Sequence, residues 1–130
     1  MKITQAVPFF AVSEMERSLR YYLDGLGFEM KIKWIDEGKL RWCWLQHGEA
    51  ALMLQEFRKG PDGKVGAGVS INFICDDAIA FYHAFKSRGV DVSRPFVGNG
   101  MWVTSSSDPD GYKLSFESKT DTPEETQYTE

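Results

Sequence analysis

Two cysteines, Cys43 and Cys75, and two histidines, His47 and His83, are the side chains best suited to nucleophilic or metal chemistry in this chain. A thiol nucleophile needs a base within hydrogen-bond reach. Neither histidine stands in a recognisable dyad motif with a cysteine, and each cysteine lies inside an apolar, strand-like segment. The sequence therefore predicts buried, reduced thiols that pack as small hydrophobes. Two cysteines are also too few for a disulfide scaffold and fit a reducing compartment. His47 falls in a predicted hairpin turn and His83 midway along a predicted helix, so both are expected at the surface, where a lone ring holds no metal tightly. Gly63-Lys64 lacks the spacing and the following hydroxyl of a phosphate loop. Aromatic rings are the abundant resource: four Trp, five Tyr and nine Phe make up 14% of the residues. Such a surplus serves an aromatic-lined pocket, a core or a dimer interface.

Placing these groups falls to an element order that occurs twice. Residues Ile3 to Val12 read as a strand, and Ser13 with Glu16 three residues on reads as a capping box. Met15, Leu19, Tyr22, Leu23 and Leu26 keep helical spacing on one face until Gly25 and Gly27 stop the helix. Strands are expected over Phe28–Ile35, Leu40–Gln46 and Ala50–Phe57, joined by turns at Asp36-Glu37-Gly38 and His47-Gly48-Glu49. The Gly-, Pro- and charge-rich stretch from Arg58 to Gly68 reads as a mobile linker. The order then returns: a strand over Val69–Cys75, a helix capped by Asp76 or Asp77 with Ala78, Phe81, Tyr82 and Phe85 as its apolar stripe, and a stop at Gly89. An extended stretch from Val90 to Phe96, a turn over residues 97–100, and strands over Met101–Ser107 and Tyr112–Ser118 complete it. Each half is βαβββ. Two such modules, each with a sheet face to cover, are expected to pack side by side and curve around a shared interior.

The bulk numbers exclude several classes. The 130 residues suit one domain, and an apolar fraction of 42% with 26% charged residues is ordinary for a globular protein. A net charge of −4 with interspersed signs offers no basic stripe for phosphates, so no nucleic-acid partner is expected. No apolar run approaches the roughly 20 residues that span a bilayer, and the first ten residues lack the features of a signal peptide. The expectation is a cytoplasmic protein with no membrane partner. The polar, acidic stretch 119–130 has no periodicity and is expected to be a disordered tail.

The segment Arg17-Ser18-Leu19-Arg20-Tyr21-Tyr22, continued by Leu26-Gly27-Phe28, resembles the first-helix signature of the vicinal oxygen chelate superfamily, which includes glyoxalase I, extradiol dioxygenases and the fosfomycin- and bleomycin-resistance proteins. Ser107-Asp108-Pro109-Asp110-Gly111-Tyr112-Lys113-Leu114 is similar to the turn and last strand of the same group. The likeness covers residues 3–118. It implies an α+β fold of two βαβββ modules forming a curved mixed sheet around a cavity, the glyoxalase/bleomycin-resistance fold, usually as a homodimer. The domain is then 1–118, with module one over 3–58, a linker over 59–68 and module two over 69–118.

In metal-dependent members of that group, His and Glu side chains from the first and last strand of each half hold a divalent ion. Aligning the motifs places the corresponding positions at Val7, Leu54, Ser70 and Ser115, two aliphatics and two hydroxyls, none of them a good ligand. A two-residue shift keeps the strand face and brings up Gln5, Glu56, Asn72 and Glu117, which could hold a hard cation weakly, act as an acid/base pair, or line a polar pocket. The resulting expectation is a ligand pocket lined by Val7, Phe9, Leu54, Glu56, Ser70, Asn72, Trp102, Ser115 and Glu117, with no metal and no cofactor. The parity argument puts Leu54 and Glu56 on the face of Phe9. With Gly48-Glu49 as the hairpin loop, Trp42 and Trp44 point away from Leu54, toward a helix or a partner. Two functions stand open. One is a small-molecule binder of bleomycin-resistance type, a homodimer that buries a planar ligand between rings. The other is a glyoxalase-like lyase or dioxygenase with an atypical divalent-metal site.

Overall fold

A computed structural model describes residues 1–57 and 65–130, and the chain divides into two compact units, residues 1–65 and 66–130. In the first unit, β1 (Phe9–Val12) leads into α1 (Met15–Leu19), then come β2 (Glu29–Asp36), β3 (Lys39–His47) and β4 (Ala50–Glu56). The sheet order is β1-β4-β3-β2, with β1 parallel to β4 and the other pairs antiparallel. The second unit repeats this with β5 (Ser70–Ile74), α2 (Ala78–Ser87), β6 (Phe96–Gly98), β7 (Met101–Ser107) and β8 (Lys113–Lys119), in the order β5-β8-β7-β6 with β5 parallel to β8. The fold is α+β, two βαβββ modules each built on a four-stranded mixed sheet.

Hairpin turns fix the registers. Glu37 and Gly38 both take left-handed φ, 54° and 72°, as do Asn99 and Gly100 at 53° and 73°. Two-residue hairpin loops demand that conformation because it matches the strand twist. His47 pairs with Ala50, so Gly48-Glu49 is the β3–β4 loop.

Each sheet buries one face under its helix. In the first unit Tyr22, Leu26, Cys43, Leu45, Leu52 and Leu54 are all fully buried, and Phe10 and Val12 join them from β1. Burying one such aliphatic or ring stabilises the fold by about 1.5–3 kcal/mol. The chain after α1 widens into a π-helix over Arg20–Gly25, where Leu26 N–H donates to the Tyr21 carbonyl at 2.9 Å. In the second unit Phe85, Leu114 and Val97 are buried, and Phe116 stacks on Phe73 and Phe81 with ring centroids 5.3 and 5.8 Å apart.

Several sequence expectations change here. β1 starts only at Phe9, leaving Gln5 and Val7 outside any strand. The first helix is not capped by a Ser13/Glu16 box: its N-cap is Glu14, whose side chain makes no capping bond. The expected turn over 97–100 shrinks to Asn99-Gly100, because Val97 and Gly98 pair with β7. Most of the expected linker lies outside the described residues, but residues 65–68 are a packed turn. Gly66 donates to the Asp110 carbonyl at 2.9 Å and lies so close to Tyr112 that an added Cβ would sit 2.5 Å from it. The stretch 119–130, expected to be disordered, is ordered along β6: Val97 N–H donates to Thr126 O, and Tyr128 N–H to Pro95 O. Backbone donors and acceptors at a sheet edge need partners, and this segment supplies them without apolar periodicity.

Candidate functional site

Cross-strand register decides which side chains share the face of the first sheet that α1 does not cover. Phe9 pairs with Met53, Met53 with Trp44, and Trp44 with Ile32. One step along, Ala11 pairs with Gln55, Gln55 with Trp42, and Trp42 with Trp34. Paired residues point to the same side, so these form two rows across all four strands. The rows hold three Trp, one Phe, one Met, one Ile, one Ala and a single amide, with no ionisable group. Phe9, Ile32 and Trp34 are about half exposed, at 50%, 54% and 50%. The surface is apolar and aromatic, with side chains of the kind that line small-molecule sites.

The same pairs correct the predicted pocket. Phe10, not Phe9, pairs with Leu54, and Val12 pairs with Glu56. Leu54 is fully buried on the helix side, so it and Glu56 lie on the face opposite Phe9, where Met53 and Gln55 stand instead. The earlier parity went astray because β4 is apolar on both faces over most of its length, leaving alternation no contrast to report. Trp42 and Trp44 do point away from Leu54, as the loop length required. Since Leu54 is on the helix side, that direction is the uncovered face and not a helix.

Glu56 instead locks the start of α1. Its Oε2 accepts the Met15 N–H at 2.7 Å, and its Oε1 meets Lys39 Nζ at 2.6 Å and Arg41 Nη1 at 3.5 Å. Burial is the largest influence on this carboxyl and pushes it up. The bonds from Lys39 and Met15, with the Lys39 and Arg41 charges, outweigh it and hold the group below its ordinary 4.5. A cleft of about 550 Å³ opens beside it, with Leu19, Lys39 and Leu40 in its walls.

On the second sheet, Ser70, Asn72, Ser115 and Glu117 share the face away from α2, as the two-residue periodicity required. Asn72 pairs with Ser115, Ser115 with Ser105, and Glu117 with Val103. Ser115 Oγ and Ser105 Oγ are 2.9 Å apart. Trp102 does not belong with them. It pairs with Ser118 and Val97 on the helix side, and its ring packs edge-on against Tyr128 at 6.0 Å. Its face was hidden in the sequence because the partner, Tyr128, comes from a segment that carried no structural signal.

The side chains at the four ligand positions do not suit the divalent ion that the resemblance implies. Val7 precedes β1, Leu54 is core, and Ser70 and Ser115 bring only hydroxyls, which are poor donors for transition metals. In the shifted set Gln5 is exposed outside β1 and Glu56 is engaged by α1 and two cations. Among the described residues, no three His, Cys, Asp or Glu side chains gather in a metal-holding arrangement. His47 ends β3 with its ring edge-on to Phe28 at 5.4 Å, and exposed His83 Nε2 lies 2.9 Å from the Tyr128 hydroxyl. Cys43 is fully buried, which pushes its thiol up to about 11, and Cys75 is raised by burial too.

The glyoxalase/bleomycin resistance protein/dioxygenase superfamily matches residues 2–116. No curated protein matches the sequence. Among solved structures, a bleomycin resistance determinant encoded on the transposon Tn5 is 25% identical with a TM-score of 0.72, over 90% of this chain and 98% of its own. A bleomycin-binding protein complexed with bleomycin is 24% identical, also at 0.72, over 91% and 100%. A glyoxalase-related enzyme from Clostridium phytofermentans is 16% identical at 0.74, over 92% and 98%. The last two likenesses establish the fold alone. With the family match spanning nearly the whole chain and the doubled βαβββ order beneath it, this chain belongs to the glyoxalase/bleomycin resistance protein/dioxygenase superfamily.

Proposed function

We propose that this protein binds a planar, aromatic small molecule on the uncovered face of its first sheet, by ring stacking and burial and without a metal, as a cytoplasmic homodimer. The observation that carries this is the double row of Phe9, Met53, Trp44 and Ile32 beside Gln55, Trp42 and Trp34. A surface with several half-exposed large apolar side chains is what a protein keeps for a ligand or a partner copy. Indole faces also attract cations, and the rows contain no competing positive side chain, so a cationic planar ligand suits them best. The bleomycin-binding protein and the bleomycin resistance determinant share the fold, and bleomycin is the natural first probe. Asn72 and Glu117 on the second sheet offer an amide and a carboxylate for hydrogen bonding, while Ser115 beside them is buried with its hydroxyl bonded to Ser105. Free Cys43 and Cys75 fit a reducing cytoplasm.

Tryptophan fluorescence tests the reading directly. Titration with bleomycin and a panel of planar cationic dyes is expected to quench emission saturably. Trp44→Ala should weaken binding about tenfold or more, since stacking on one ring is worth about 1–3 kcal/mol. No saturable quenching across the panel would refute the proposal. Elemental analysis after incubation with Ni²⁺, Zn²⁺, Mn²⁺ and Fe²⁺ tests the metal-free part. One stoichiometric ion, lost in Glu117→Ala, would replace it with the metal-dependent lyase or dioxygenase reading.

A further inference from the structure

We infer that a second site lies beside α2, where Tyr82, Lys86, Arg94 and Tyr128 form a pocket for a small phosphate-bearing molecule and the Glu130 carboxylate acts as its built-in competitor. The pocket encloses about 360 Å³ and is completed by Thr129 and Glu130. All of its lining residues belong to the second unit.

Local structure builds this pocket in three steps. Tyr82 and Lys86 stand four residues apart on α2, one turn above the other, with Lys86 Nζ 3.2 Å from the Tyr82 hydroxyl and 5.3 Å from its ring centroid. Arg94 follows on the segment before β6. The chain's last residues then close the third side, because the Tyr128 N–H donates to Pro95 O at 2.8 Å and its hydroxyl meets His83 Nε2 at 2.9 Å. Tyr82 is itself buried, at 5% exposure, so one phenolic donor is held in place by the core.

Charge shows what is missing. Glu130 Oε1 accepts from the Tyr82 hydroxyl at 3.1 Å and stands 3.5 Å from Lys86 Nζ, both long for charge-assisted bonds. Arg94, the second cation, has no ion pair among the described residues. Lys86 and Arg94 line the pocket together with the Glu130 side chain, and His83 stands next to Tyr128. A phosphate monoester carries about −1.5 to −2 charges near pH 7 and three acceptor oxygens, which matches an ammonium, a guanidinium and a phenol better than one carboxylate does. The guanidinium fork suits it in particular. The Tyr82 and Tyr128 rings, packed edge-on with centroids 6.0 Å apart, make one aromatic wall against which an organic group on the phosphate can lie.

The test uses the full chain, ¹⁵N-labelled, titrated with inorganic phosphate and with phenyl phosphate at constant ionic strength. Amide shifts are expected to concentrate at 82–94 and 128–130. Glu130→Gln should tighten binding about two- to fivefold, the scale of one surface charge pair, by removing the competitor. Arg94→Gln should weaken it by at least as much. Both residues are solvent-facing, so both variants should fold as the parent does. Shifts elsewhere, or equal or weaker binding in Glu130→Gln, would overturn the site. Phenyl phosphate binding no tighter than inorganic phosphate would overturn its assignment to an organic phosphate.

Discussion

Replacing Glu56 by Gln keeps the side-chain shape but removes the charge that Lys39 and Arg41 meet, while the amide oxygen can still accept the Met15 N–H. The expected loss is about 1–2 kcal/mol at neutral pH, the range of a helix cap plus a partly screened ion pair, read from urea denaturation. The pH dependence follows from the depressed acidity. A carboxyl held below its ordinary value in the folded state stabilises fully above the unfolded value and loses that contribution as pH falls through the folded one. The parent should therefore lose stability below about pH 4.5, and Glu56→Gln should lose less over the same interval. Equal acid sensitivity in both proteins would contradict the assignment. Cys43 gives a second test at this scale. With a fully buried thiol raised to about 11, it should resist iodoacetamide at pH 8 in the folded protein and react only on unfolding. Rapid native-state alkylation, mapped by peptide mass, would show that the β3–β4 layer opens.

At the scale of elements, one residue of register separates core from surface on β4. Leu54→Ala removes a fully buried side chain beneath α1 and should cost about 2–5 kcal/mol, with ligand quenching retained in the folded fraction. Met53→Ala, on the opposite face between Phe9 and Trp44, should cost less stability and weaken ligand binding. The reverse pattern would place the ligand on the helix side. This pair also shows what the sequence could carry. Turn residues and helical spacing marked the element order, because Asn-Gly and Asp-Glu-Gly turns and an apolar stripe are local chemistry, although β1 begins at Phe9 and not at Ile3. The face of β4 was not local. Ala51, Leu52, Met53 and Leu54 are apolar in succession, so only pairing with Phe10 settles which of them the core takes. Glu56 misled for a related reason: a carboxylate on a strand suggests a site, and its use as a helix cap depends on a contact 41 residues away in sequence. The ordering of 119–130 was equally non-local, since its hydrogen bonds are made to Pro95, Val97 and Gly100.

Over the whole molecule, the two modules repeat a device more faithfully than they repeat residues. In the first unit the last strand sends Glu56 to the N–H of Met15, the first residue of α1. In the second, the last strand sends Ser118 to the N–H of Ala78, the first residue of α2, at 2.8 Å. One module solved the cap with a carboxylate and two cations, the other with a hydroxyl backed by Asp77, whose Oδ1 accepts the Ala80 N–H at 3.0 Å. Ser118→Ala should accordingly cost about 0.5–1.5 kcal/mol, below the loss expected for Glu56→Ala, which leaves Arg41 and Lys39 facing each other without an acid. The partners of Glu56 all lie within residues 1–65 and that of Ser118 within residues 66–130, so the two caps have no hydrogen-bond partner in common. The double variant should lose the sum of the single losses to within about 0.5 kcal/mol. A coupling above about 1 kcal/mol in the urea cycle would mean that the helix starts communicate.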